Sequence, residues 1–87
     1  MKLMLIIVRD EDADPSTQAL IENGLRVTRM ASTGGFLRRG NSTLLVGVED
    51  EKVDQVVDLV KHACKPAEAP QRQATIFILN MNEYVRI

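Results

Sequence analysis

Lys2 to Val8 (KLMLIIV) is an apolar run of strand length with no polar residue after its lysine. A strand with one face in water alternates apolar and polar side chains, because successive residues point to opposite faces. A run that does not alternate suits a central strand covered on both faces. It equally suits one with the core on one face and another subunit on the other. The chain has only 87 residues, and a chain of that size buries a modest fraction of its surface. Its apolar share is nevertheless 45%, mostly Val, Leu, Ile, Ala and Met, with Phe36, Phe77 and Tyr84 as the only aromatics. No staple by metal or disulfide is visible, so an oligomer partner is expected to complete the core.

Several function classes drop out early. The single cysteine, Cys64, excludes an internal disulfide and a zinc cluster, and the single histidine, His62, argues against a histidine-based metal site. No metal or cofactor is expected. The opening run is too short to span a membrane, lacks a cleavage region and is followed at once by Arg9-Asp10-Glu11-Asp12. A cytoplasmic protein without membrane insertion is expected. The net charge of −1 makes the whole molecule a poor magnet for a nucleic-acid polymer. There is no nucleophile–base pair and no Walker-type lysine motif, so the protein is read as a non-enzyme.

The patterning gives a single domain, residues 1–87, with elements in the order β-α-β-β-α-β. After the first strand comes an acidic turn, Asp10 to Asp14. Asp14-Pro15 reads as the helix start, with Ala19, Leu20 and Ile21 inward and Gly24 at its stop. Leu25 to Ala31 reads as a strand with Leu25, Val27 and Met30 turned inward and Arg26, Thr28 and Arg29 toward water or ligand. Asn41 to Val48 is a third strand, with Thr43, Leu45 and Gly47 on one side and Leu44, Val46 and Val48 on the other. Asp50 opens the second helix, whose stripe is Val53, Val56, Val57, Val60 and Cys64. Pro66 stops it, 65–72 is a polar connector, and Gln73 to Leu79 is the last strand. Asn80 to Ile87 is a tail with room for a short edge strand. This order predicts an α+β, ferredoxin-like βαββαβ sandwich: a four-stranded antiparallel sheet with both helices on one face. The other face is left for a partner.

The stretch Arg26 to Val48 (RVTRMASTGGFLRRGNSTLLVGV) holds four arginines and no Asp or Glu. Gly34, Gly35 and Gly40 free the backbone of the loop Ser32 to Gly40, and Phe36 and Leu37 add apolar surface. Backbone N–H groups, guanidinium charge and flat apolar contacts suit a small anion that carries rings. Gly34-Gly35 also reads as a plain hairpin turn, and Arg38 and Arg39 as solvated loop charges. Phe36 and Leu37 pack equally well into a neighbouring subunit. His62 reads as a helix-end residue and Cys64 as a small buried apolar one.

MKLMLIIVRDED, RVTRMASTGGFLRRGNSTLLVGVED and ATIFIL together resemble the PII-like cyclic-di-AMP receptors, small homotrimeric signalling proteins. The resemblance covers most of the chain. It implies a PII-like fold and cyclic-di-AMP bound in clefts between subunits of a homotrimer. It also implies a non-catalytic signalling role, read by a protein target not named by the sequence. By this resemblance Arg26 and Thr28 face the ligand, and Gly35, Phe36 and Leu37 lie against it. Asn41 and Gly47 complete the third-strand side, and Phe77 adds an apolar contact from the last strand. The chain departs from the family pattern in three places. Its connector before the last strand is short, Arg86 stands where the family has a base-reading glutamine, and Gly24 stands where an amide-bearing residue is common. These departures motivate two alternatives: a PII-like protein-interaction module that does not bind cyclic-di-AMP, or a receptor for another adenine nucleotide or cyclic dinucleotide.

Overall fold

The structure is a computed structural model that describes residues 1–30, 40–69, 71–82, 85 and 87. Its elements are β1 (Lys2–Arg9), α1 (Asp10–Glu22), β2 (Val27–Met30), β3 (Asn41–Val48), α2 (Val53–Ala63) and β4 (Ala74–Asn80). The strands form one antiparallel sheet in the order β2-β3-β1-β4, as the ferredoxin-like pattern requires.

The apolar run at the start becomes the long inner strand, paired along its length with β3 and β4. Its side chains separate by parity. Met4, Ile6 and Val8 are buried, and they pack with Leu44, Val46 and Val48 of β3 against Ala13 and Leu20 of α1 and Val56 and Val60 of α2. Leu3, Leu5 and Ile7 point the other way and are only half-buried. The register places them beside Gly47, Leu45 and Thr43 of β3 and Leu79, Phe77 and Thr75 of β4. Phe77 and Leu79 are 53% and 50% exposed, so this second face remains largely open in a single chain.

Several boundaries and facings differ from expectation. The first helix starts at Asp10, and the acidic residues 10–14 are its first turns. Asp10, Glu11 and Asp12 suit the positive end of the helix dipole. The Asp10 N–H also donates to the Gly40 carbonyl at 2.7 Å, and the Ser42 hydroxyl donates to the Asp10 carboxylate at 2.7 Å. Pro15 therefore lies inside the helix and contributes no N–H there. Ile21 is 54% exposed, so only Leu20 of the predicted inward triplet is fully buried. The second strand is shorter than predicted, Val27–Met30, and Met30 faces the open side with Thr28. Arg29 lies on the other side and pairs with Asp14 of α1 at 2.5 Å. A 3-10 turn, Asp50–Lys52, precedes α2, and the last strand runs one residue later than expected, Ala74–Asn80. No described residue of the tail after Asn80 is strand.

Candidate functional site

The exit of α1 sets the first half of the site. Gly24 takes φ +77°, a left-handed conformation that favours glycine. Its N–H donates to the Ile21 carbonyl at 3.0 Å, and the Leu25 N–H donates to the Leu20 carbonyl at 3.0 Å. This is a Schellman motif, with buried Leu25 as the apolar residue after the stop. Anchoring Leu25 forces the next residue outward, so Arg26 and then Thr28 emerge on the open side of the sheet. Thr28 stands opposite Leu45 of β3, and Gly47 lies two residues further along that strand, opposite Leu3.

Arg26, Thr28 and Gly47 line one cleft of about 590 Å³ together with Met1, Leu3, Gly24, Leu25, Leu45 and Met81. A Cβ atom on Gly47 would come within 3.2 Å of the Met81 methyl, so the missing side chain keeps this cleft open. Met81 is held in place by its backbone N–H, which donates to the Met1 carbonyl at 3.1 Å. The cleft thus combines an exposed guanidinium and a hydroxyl with an aliphatic floor. That chemistry suits an anion attached to flat, apolar rings.

Other predicted residues lie elsewhere. Asn41 begins β3, opposite Arg9, while Gly47 is near that strand's other end. Six residues of strand separate them by about 20 Å. Asn41 lines a second cleft, of about 560 Å³, with Ile7, Val8, Arg9, Glu11, Gln71, Arg72, Gln73, Ala74 and Thr75. Phe77 pairs with Leu5 on the edge strand β4, at the opposite edge of the sheet from β2, and lines neither cleft. Gly35, Phe36 and Leu37, with Gly34, Arg38 and Arg39, lie outside the described residues.

The connector contributes more than its polar composition suggested. The Gln73 side-chain amide donates to the Lys61, Cys64 and Lys65 carbonyls at 3.3, 3.4 and 3.3 Å, closing the C-terminal end of α2. The Gln71 N–H donates to the Glu68 carbonyl at 2.9 Å and closes a turn just before it. The residue between these two ties is Arg72. Its signal in the sequence was the cluster Gln71-Arg72-Gln73, three donor side chains at the mouth of a strand.

Below the second cleft, buried Asp12 accepts from Arg9 at 2.8 Å and from the Lys65 backbone N–H at 3.0 Å. Arg9 also donates to the Lys65 carbonyl. This pair joins the starts of α1 and of the connector. Cys64 is buried beside Ser16, with Sγ and Oγ 3.6 Å apart, and burial raises its thiol pKa above the ordinary value of 9.0 despite that hydrogen bond. His62 lies in the last turn of α2, with Nδ1 2.7 Å from the Asp58 carbonyl.

The cyclic-di-AMP receptor family model matches residues 1–86. The chain belongs to the cyclic-di-AMP receptor family. Among solved structures, this family member is similar to a functionally unknown protein from Pediococcus pentosaceus, at 32% identity and a TM-score of 0.80. The match covers 99% of this chain and 96% of that one, so the likeness extends over the whole fold. Among the described residues of this cyclic-di-AMP receptor family member, no group of three or more His, Cys, Asp or Glu is placed to hold a metal ion. No described helix is long and apolar enough to cross a membrane.

Proposed function

We propose that this protein is a non-catalytic, cytoplasmic receptor that binds cyclic-di-AMP between subunits of a homotrimer. Ligand binding reorders the Ser32–Gly40 segment and so changes the surface presented to a protein target. The observation that carries this reading is the convergence of Arg26, Thr28 and Gly47 on one open cleft in a chain of the cyclic-di-AMP receptor family. The guanidinium meets a phosphodiester, the hydroxyl a phosphate or ribose oxygen, and the aliphatic floor a purine face.

The placement of Asn41 supports the intersubunit part. A compact ligand reaches both Asn41 and Gly47 when the Asn41 end of one copy meets the Gly47 end of the next. Such a contact joins two different surfaces, the kind that repeats around a ring when its rotation is that of a trimer. The half-exposed Phe77 and Leu79, beside Leu5 and Leu3, give that ring an apolar interior.

Calorimetric titration with cyclic-di-AMP tests the reading. Saturable binding at one ligand per subunit, weakened by Arg26→Ala or Thr28→Ala, is the expected result. No heat at high micromolar ligand, with the protein folded, overturns it in favour of a protein-interaction module. A thermal-shift panel of adenine nucleotides and other cyclic dinucleotides separates a receptor of altered specificity from both.

A further inference from the structure

We infer that Arg72, delivered by the shortened connector, is a ligand-contacting residue of the second cleft that grips a phosphodiester of the bound cyclic dinucleotide. This rests on the proposed cyclic-di-AMP site and adds a residue to it. The cleft that holds Asn41 has two guanidinium groups on its wall, Arg9 and Arg72. They are not equivalent. Arg9 is occupied by the buried Asp12 carboxylate and the Lys65 carbonyl. Arg72 is exposed and makes no ion pair with any described residue. The one carboxylate on the cleft wall, Glu11, is engaged by Lys65 at 3.3 Å.

Position supports the same assignment. Arg72 lies between two tied residues, Gln71 at a turn and Gln73 on the end of α2. A side chain on a backbone held at both neighbours loses less freedom when it binds. The Asn41 amide stands on the same cleft wall, so charge and hydrogen-bonding groups face one space. Arg72 stands two residues before Ala74, the first residue of β4, whose pairing with Val8 holds it at that end of the sheet. Arginine is suited to phosphate oxygens, which accept two parallel N–H bonds from one guanidinium.

The test is titration of folded Arg72→Ala and Arg72→Lys with cyclic-di-AMP at several salt concentrations, beside the unaltered chain. The expected result is a Kd raised at least about tenfold in Arg72→Ala, partly recovered in Arg72→Lys. The dependence of log Kd on log salt should also be shallower in Arg72→Ala, a change that loss of packing alone does not produce. Unchanged melting temperatures are expected, because the side chain is exposed. Binding by the unaltered chain with equal affinity and salt slope in Arg72→Ala overturns the inference and leaves the receptor reading standing. No binding by the unaltered chain overturns both. A lowered Kd in Arg72→Ala also overturns the inference, since it would mean that the guanidinium opposes the ligand.

Discussion

Gly47 turns bare backbone toward the methyl of Met81, and a Cβ there would stop 3.2 Å from it. The nearest atom is the far end of a flexible side chain, so a methyl is accommodated and a larger group is not. Gly47→Ala is expected to change stability by less than about 1 kcal/mol. Gly47→Leu is expected to fill the cleft and remove cyclic-di-AMP binding while the chain still folds. Circular dichroism melts paired with titration of both variants check this. Full binding by Gly47→Leu would remove that cleft from the site.

The division of site residues between the two ends of β3 leads to a complementation prediction. Arg26→Ala and Asn41→Ala are each expected to bind ligand weakly as pure oligomers. In oligomers assembled from both, some contacts join an intact Arg26 end to an intact Asn41 end. Co-refolding the two variants should restore tight binding at a minority of sites, read as a fractional stoichiometry. No recovery in verified mixed oligomers would place Arg26 and Asn41 in sites built from a single copy.

The open sheet face makes the oligomer testable without ligand. Leu5 and Phe77 are cross-strand partners on that face. Leu5→Lys or Phe77→Glu places charge where the proposed ring has its apolar interior, at a desolvation cost of several kcal/mol. Sedimentation velocity should report a smaller species for either variant. An unchanged sedimentation coefficient would mean that subunits meet elsewhere.

Asp12 is expected to hold the fold rather than bind anything. It is fully buried and paired with the partly exposed Arg9, so Asp12→Ala leaves the Lys65 backbone N–H without its acceptor and takes from the guanidinium its nearest carboxylate. Losing a charge-assisted hydrogen bond and leaving a donor unmet costs about 1–3 kcal/mol, a sizeable part of a small domain's stability. Urea denaturation should show a loss of unfolding free energy of that size. A loss below about 1 kcal/mol would reduce the pair to a surface contact.

Cys64 gives a pH signature. Its folded-state pKa lies above the ordinary 9.0 because burial disfavours the thiolate. Its contribution is therefore complete below pH 9 and is lost as pH rises through the raised folded value. Stability should fall more steeply on the alkaline side in the unaltered protein than in Cys64→Ala. The native thiol should also react with a colorimetric disulfide reagent far more slowly than the urea-unfolded one. Equal native and unfolded rates would count against the burial.

Periodicity and length carried much of the architecture. The third strand runs Asn41–Val48 with the predicted division of its two faces, because strict alternation leaves one reading. The first helix was harder. Asp14-Pro15 is a strong local start signal, yet tertiary bonds from Ser42 and Gly40 to Asp10 outweigh it. Those partners are some thirty residues away, so no local pattern reports them. At the site, Arg26, Thr28 and Gly47 were named through the family resemblance, together with Asn41; they line one cleft because β2 and β3 are neighbours. That Asn41 sits in a different cleft follows from register and strand length, which residue chemistry alone does not express. Arg72 was hidden for the opposite reason: its connector looked like a spacer, and only folding brings it beside Asn41.

The closure of α2 by Gln73 hangs on one neutral carboxamide. Its two hydrogens serve three carbonyl oxygens, and among the described side-chain contacts only that of Lys65 has a second donor, Arg9. Deamidation at this position would set a negative carboxylate against a ring of acceptors. The helix end would then expel the segment it now retains, and the guanidinium beside it would lose its fixed mounting.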